Sequence, residues 1–488
     1  MKKIVFLTRN FDPGQFTTAW SYLTDENGQP CFGEIELLDD RVVCRTTEKK
    51  VALNALLEVP GFGKVMLRTA VENTGKKEFD LMDSLVRGRA EGLRREIDKM
   101  DEKKRDLWKL RVKQMVGKNS KMVQLRRLLM LGESLVMRES RRQLKARIMN
   151  GEMKDFMIGG QAFGVDKGSK YKKFHRDNFD LGIAPMYFFL LKPDSKKKTD
   201  WSLTDRVVEW VSKTGRPIKG HPLVWTHKFA RPEWMLEMSF EELKEFVVDH
   251  LGKVIRRYGD RIKMWDIVNE IPTQDANGYD LNMDQLMELT KLVADTVKQL
   301  QPEAERIINI SDIFGPKSYV HDSPSIPPVH FLKLCEKYGI EYESIGLQFY
   351  MGMRAEFACR ELLNISQEVD EYLQFGKPIH FSELGWPSKH DVDPNCFFGK
   401  DHPAVAGYWH RGWDEELQAE FAEKIYTLFA SKPGVKSITW WDLTDSGNHE
   451  DIGSRFIPFS GLTRRDFSPK PIVGVISKIR EKVHTELR

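Results

Sequence analysis

The sequence predicts an α/β protein whose main part is a (β/α)8 barrel, preceded by a small β-rich domain and a charged helical hairpin. Three observations predict it. From about Lys154 onward, apolar segments alternate with helix-patterned stretches, which is the signature of a parallel sheet. Eight such segments can be read in about 330 residues, a length that suits a closed barrel. Polar residues collect at the C-terminal ends of those segments, where barrels of this kind carry their chemistry.

Residues 1–78 read as short strands. EIELL, RVVCRT and KVMLRT are rich in β-formers, and DENGQP, DD and VPGFG between them carry turn chemistry. A small sandwich-like domain is expected, serving either to bind carbohydrate or simply to pack against its neighbours. The opening MKKIVFL is positive and then briefly apolar. The apolar run is too short for the central segment of a leader peptide. As it stands, a cytoplasmic location is expected, or a secreted one if an export signal has been removed.

Residues 79–150 change character. The first half lacks proline and has apolar residues near helical spacing. Gly117 and Asn119 break the pattern, and a second helix is expected from about Lys121 to Ile148. Residues 86–149 hold 20 Lys/Arg and 8 Asp/Glu, so the rest of a chain of net charge +4 is about 8 units negative. A basic face of this sort suits polyanions, but a solvated helical surface explains it as well. No nucleic-acid motif supports the first reading.

Residues 151–488 supply the barrel segments: DFMIGGQAFG, IAPMYFFLL, RPIKGHPLVW, RIKMWDIVNE, RIINISDIFG, SIGLQFYMG, PIHFSELGW and SITWWDLTD. The polar residues at their ends are His221 and Trp225, Asn269 and Glu270, Asp312, Gln348 and Tyr350, Glu383, and Trp441 with Asp445. A strand inside a core has little use for a carboxylate at its end, because desolvating it without a partner is costly. Glu270 closes the fourth segment and Glu383 the seventh, 113 residues later. Two carboxyl groups facing each other across a barrel mouth are what glycoside hydrolysis needs. One protonates the leaving oxygen, and the other either activates water or attacks the sugar.

Several of these stretches resemble one family. MWDIVNE is similar to the acid/base signature of glycoside hydrolase family ten, the β-1,4-xylanase family. KGHPLVW resembles its third-strand motif, HFSELGW its nucleophile strand, WWDLTDS its eighth strand, and FSGLTRRDFSPKPIVGVI its closing segment. The motifs stand in the family's order over roughly residues 155–485, and residues 1–150 lie outside the resemblance. The resemblance implies a retaining endo-β-1,4-glycanase acting on xylan or a related β-linked polysaccharide. Glu383 would be the nucleophile and Glu270 the acid/base, with carboxyl groups about 5–5.5 Å apart. Glu270 would then need a raised pKa while Glu383 stays ionised.

The resemblance also assigns substrate contacts. His221 and Asn269 would touch the sugar just before the cleavage point. Trp225 and Trp441 would offer apolar faces to a pyranose ring. Gln348 matches the family's sixth-strand glutamine. Tyr350 stands where the family has a histidine on the nucleophile, and a phenol could donate to that carboxylate from further away. His227 falls where a polar side chain is common. The second strand departs most: Tyr187 and Phe188 lie where the family has Glu-Asn and Lys-Trp, so those polar contacts are expected to be lost. Asp442 replaces a usual glycine. These departures leave a different β-linked backbone, a decorated xylan, or a non-hydrolytic carbohydrate-binding barrel open beside xylan hydrolysis. The long stretch from Trp386 to Trp413, with Trp409, His410 and Arg411, is expected either to wall the cleft or to pack structurally on the barrel.

The remaining expectations are negative. Five widely spaced cysteines (Cys31, Cys44, Cys335, Cys359 and Cys396), with no CxxC pair, read as reduced thiols without a disulfide framework or zinc ribbon. His221 and His227 lack helical ligand spacing, so no metal is expected. No phosphate-cradling or dinucleotide glycine motif is present, so no cofactor is expected. The expected partner is a polysaccharide or oligosaccharide, with neither nucleic acid nor membrane. No stretch approaches the ~20 apolar residues of a membrane span.

Overall fold

The structure, a computed structural model, describes residues 1–9, 13–75, 78–117, 119–192, 194–195, 197–228, 230–314, 325–351, 361–392, 403–404, 407–445 and 458–485. Cys359 and Cys396 lie outside the described residues. Cys31, Cys44 and Cys335 are free thiols.

The N-terminal region consists of two sheets. In one, Lys2–Leu7 pairs antiparallel with Arg41–Thr46, which pairs with Gly33–Leu38; Phe79–Asp80 joins the other edge in parallel. The opening apolar run is therefore a central strand. In the other sheet, Lys50–Val59 lies between Phe16–Thr24 and Gly63–Arg68. The tight connection is VPGFG, in which Gly61 and Gly63 take φ of 88° and 66°, a region costly for side-chain-bearing residues. Alternate residues Ile4, Phe6, Val42 and Cys44 of one sheet and Val51, Leu53, Ala55 and Leu57 of the other are buried in one apolar cluster.

The region after it contains three helices rather than the expected two. Leu81–Asp98 begins on Asp80, whose side chain accepts from Asp83 N, and it ends before Lys99. Glu102–Met115 and Lys121–Met149 follow. The extra break falls at Lys99–Asp101, where there is no glycine or proline to announce it. Here the Lys99 amide reaches back to Glu96 O and the chain turns.

These helices are docked on the barrel. Arg89 donates to both oxygens of Glu361 at 3.0 and 2.7 Å, and both side chains are buried. Gly132 makes room for this pair, because a Cβ there would stand 2.3 Å from Arg89 Nη2. Arg147 donates to the carbonyls of Ala430 and Lys432, each at 2.6 Å. Part of the basic surplus is thus used in structural contacts. Among the described residues no helix is long and apolar enough to cross a membrane.

The barrel is closed, and all its strands are parallel. In order they are Met157–Gln161, Leu181–Pro185, Ile218–His221, Met264–Asn269, Glu305–Ile310, Ser344–Tyr350, Ile379–Gly385 and Val435–Trp440, the last pairing back to the first. The helices between them start where the sequence offers caps: Ser239 with Glu242 and Asn282 with Gln285 form complete capping boxes.

The second segment corrects an expectation. IAPMYFFLL is not one strand, because pairing stops at Pro185 and Phe188–Leu191 forms a helical turn. An apolar run alone does not distinguish a buried strand from a buried helical turn.

Candidate active site

Glu270 and Asn269 close the fourth strand. Glu270 adopts φ 56°, an uncommon conformation for a side-chain-bearing residue. The surrounding chain holds it there: Glu270 N donates to Asn309 O at 2.9 Å, and Thr273 donates to Glu270 O through its amide and its hydroxyl. Register shifts occur in both strands that carry the glutamates. In the fourth the shift lies between Asp266 and Val268. In the seventh it lies between Phe381 and Leu384. Such bulges re-aim side chains, and here they turn both glutamates toward one point.

That point is Gln348, at the end of the sixth strand. Its Nε2 lies 2.9 Å from Glu270 Oε1, 3.0 Å from Glu383 Oε1 and 3.2 Å from Asn269 Oδ1. Two amide hydrogens serve three acceptors, so one is shared. A nitrogen bonded to both carboxylates keeps those two oxygens within about 6 Å of each other, compatible with the about 5–5.5 Å of double displacement.

Each carboxylate has further partners. Glu383 Oε1 also accepts from Asn309 Nδ2 at 2.9 Å, and its Oε2 from the Tyr350 hydroxyl at 2.7 Å. The Tyr350 contact is direct, closer than the substitution of phenol for imidazole suggested. Glu270 Oε2 accepts from Trp225 Nε1 at 3.2 Å. Burial pushes the Glu270 carboxyl up to about 7, and the charge of Glu383 adds to this against the bonds from Gln348 and Trp225. Asn309 Nδ2 reaches Asn269 Oδ1 at 2.6 Å. With that oxygen committed inward, the donor end of Asn269 is the part left for a ligand.

A charged layer beneath orients His221. Asp266 is fully buried, with Oδ2 2.7 Å from both Lys219 Nζ and His221 Nδ1. Burial alone would raise the Asp266 carboxyl, but Lys219 and His221 overcome that and hold it below its usual value. His221 Nδ1–H donating to this carboxylate leaves Nε2 3.6 Å from Glu383 Oε1.

The expected site residues therefore converge: Glu270, Glu383, Asn269, Gln348, Tyr350, His221 and Trp225 share one network. Trp441 is buried beside it, its ring edge-on to His221 and Phe163. His227 lies with its ring 5.0 Å from that of Trp225. Asp445 is engaged elsewhere, accepting from Lys470 Nζ at 2.8 Å and Gly461 N at 2.8 Å.

The stretch after the seventh strand, where described, favours the structural alternative. Trp409 Nε1 and His410 Nε2 both contact Glu133 at 2.8 Å, and His410 N donates to Gly61 O. Sequence reasoning missed Lys219, Asp266 and Asn309. Their signal was available, since charged and amide side chains inside fully buried strands demand partners. Among the described residues, no three His, Cys, Asp or Glu side chains are grouped as metal ligands.

Comparisons with known proteins bear on this geometry. The profile described as "Glycosyl hydrolase family 10" matches residues 188–451, more than half of the chain. Endo-1,4-beta-xylanase B of Thermotoga neapolitana is 22% identical over 351 residues, covering 67% of this chain and 88% of that protein. Endo-1,4-beta-xylanase A of Xylanibacter ruminicola is 25% identical over 335 residues, covering 62% and 85%. Among solved structures, native xylanase 10B from Thermotoga maritima superposes with a TM-score of 0.51 at 21% identity, over 68% of this chain and 98% of that one. That likeness supports the barrel fold.

Proposed function

Because the chain belongs to glycosyl hydrolase family 10, and is a glycoside hydrolase, we propose that it cleaves a β-1,4-linked backbone of the xylan type with retention of configuration. In this reading Glu383 attacks the anomeric carbon while Glu270 gives its proton to the leaving oxygen. The glycosidic bond breaks as the glycosyl-Glu383 ester forms. Glu270, now a carboxylate, takes a proton from water; the hydroxide equivalent displaces Glu383, and both groups return to their starting states.

The observation that carries this reading is the single Gln348 nitrogen between the two carboxylates. A Glu270 raised to about 7 supplies an acid that is still about half protonated at neutrality, where an ordinary carboxyl has lost its proton. Glu383, with donors at both oxygens, is held in one orientation for in-line attack. The outward donor of Asn269 suits the hydroxyl next to the anomeric carbon, where a bond that tightens in the transition state contributes several kcal/mol. The relatives named for xylan hydrolysis make that backbone the first substrate to try.

The test is hydrolysis of polymeric xylan and of an aryl β-xylobioside by the full chain, beside Glu383→Ala. Retained configuration in the first-formed product, with loss of turnover in the variant, is the expected result. Equal inactivity of both proteins on these and a panel of other β-glycans would overturn the reading.

A further inference from the structure

Tyr187 and Phe188 follow the second strand, and the chain sends their rings to different neighbours. The Phe188 ring lies edge-on to Phe246 and His250, at 5.3 and 4.9 Å, among the outer helices. Tyr187 faces the carboxylate groove. Its ring meets His221 at 5.6 Å, Trp225 at 5.6 Å and Phe163 at 6.0 Å. Phe163 and His221 in turn each meet Trp441, at 5.5 and 5.1 Å. Phe163, Tyr187, His221 and Trp441 thus close a circuit of edge-to-face contacts that holds the Tyr187 ring in place.

Tyr187 is only 5% exposed, yet among the described residues its hydroxyl has no hydrogen-bond partner. Burial, then the charges of Glu383 and Glu270, push the phenol well above its usual value, so it remains a donor. It also stays outside the set of unpaired groups sealed from solvent, unlike the hydroxyls of Tyr342 and Tyr426.

A second group beside it is in the same condition. Asp442 follows Trp441 and is 2% exposed. Its Oδ1 accepts one bond, from Gln161 Nε2 at 3.3 Å, and among the described residues its Oδ2 accepts none. It lies within electrostatic reach of Tyr187 and Tyr350, and is itself acted on by Lys167 and, in the opposite sense, by Glu383. Burial pushes this carboxyl up to about 8, so near neutrality it too is a donor. A nearly buried polar group without a protein partner is costly to keep unless solvent or a ligand supplies one. Two such groups on one side of a catalytic groove point to a ligand that supplies the partners.

We propose that Tyr187 and Asp442 are specificity-determining residues of this reaction, the phenol hydroxyl and the carboxyl binding free hydroxyls of the unsubstituted β-linked pyranose units on the nucleophile side of the cleavage point. This rests on the hydrolytic reading of Glu270 and Glu383 and goes beyond it. The family's second-strand polar contacts, expected to be lost, would thereby be replaced by different groups, one of them just beyond the end of that strand. The rings of the circuit take the apolar C–H surface of the sugar, and the two donors take the hydroxyls at its rim.

The experiment compares wild type, Tyr187→Phe, Asp442→Ala and Asp442→Asn on an aryl β-xylobioside, with thermal melting of each protein. Glu383 is labelled in parallel with the 2,4-dinitrophenyl 2-deoxy-2-fluoro derivative of xylobiose. Tyr187→Phe and Asp442→Ala are each expected to lower kcat/KM about fivefold or more without a matching loss of folded protein, with Asp442→Asn recovering part of the loss through its amide donor. Tyr187→Phe removes one oxygen and leaves the ring circuit in place, so it decides the matter even if Asp442→Ala folds poorly. A smaller fall in either variant overturns that residue's part. A wild type that neither turns over the xylobioside nor is labelled at Glu383 overturns the hydrolytic reading itself, a result distinct from labelled and active variants that match wild type.

Discussion

Tyr350 donates its hydroxyl to Glu383 Oε2 at 2.7 Å, while Gln348 and Asn309 hold the other oxygen of the same carboxylate. The nucleophile is thus fixed at both ends by three side chains from two neighbouring strands. Tyr350→Phe removes one of these bonds and leaves the ring. Hydrogen bonds to charged groups contribute about 1.5–3 kcal/mol. The expected outcome is a kcat/KM about tenfold or more below wild type on an aryl β-xylobioside, with the melting temperature little changed. Steady-state kinetics beside a thermal melt check it.

The Glu270 carboxyl, raised to about 7 by burial and by the charge of Glu383, sets the alkaline limit of activity. A general acid must carry its proton, so kcat/KM should fall about tenfold per pH unit once the pH rises past about 7. The fall should be absent for a 2,4-dinitrophenyl leaving group, which needs no protonation. The same shift acts on stability. A carboxyl whose folded pKa lies above its unfolded value favours the folded state at low pH. That stability is lost as the pH climbs from the unfolded value, 4.5, through about 7. Glu270→Gln should therefore melt above wild type at pH 8 and by a smaller margin at pH 5, while losing about 100-fold or more in turnover of poor leaving groups. Melts at the two pH values give the comparison.

Asp266 bridges Lys219 and His221 in a wholly buried layer. Removing one member of such a group leaves a charge without its partner, at a cost of about 3–5 kcal/mol. Asp266→Ala is expected to lose stability on that scale, read by urea unfolding. Lys219→Met with Asp266→Leu removes both charges and should recover much of it. Activity should stay low in both proteins, since His221 has lost the acceptor that fixes its Nδ1–H.

The barrel and its two glutamates were legible because both depend on period and position: apolar segments of strand length, and carboxylates at their ends. The layer beneath them was not. Lys219 and Asp266 sit inside segments that read as ordinary buried strands, and only the pairing of the third strand with the fourth brings them together. The bulges that aim Glu270 and Glu383 leave no mark in composition, since one extra residue in a strand looks like any other. The opening run Lys2–Leu7 is too short for a leader, but nothing local marks it as a central strand, because its pairing partners lie at Arg41–Thr46 and Phe79–Asp80, far along the chain. The turn at Lys99–Asp101 is built from residues that suit a helix, so periodicity ran through it.

Arg89 and Glu361 join the helical region to the barrel through a two-pronged ion pair, with side chains 9% and 2% exposed. Glu361 also caps the helix Leu362–Leu373, accepting from the amides of Leu363 and Asn364. Those two bonds persist in Arg89→Met, so the carboxylate is left half-satisfied rather than bare. The cost should fall below the about 3–5 kcal/mol of a fully orphaned buried charge. Because Arg89 touches neither Glu270 nor Glu383, kcat/KM per folded molecule should hold near wild type. What should change is the docking: the variant is expected to melt lower and to be cut faster by protease at the exposed turn near Lys99–Asp101. Unaltered cleavage there, with an unaltered melt, would show that this pair contributes nothing to holding the helices on the barrel.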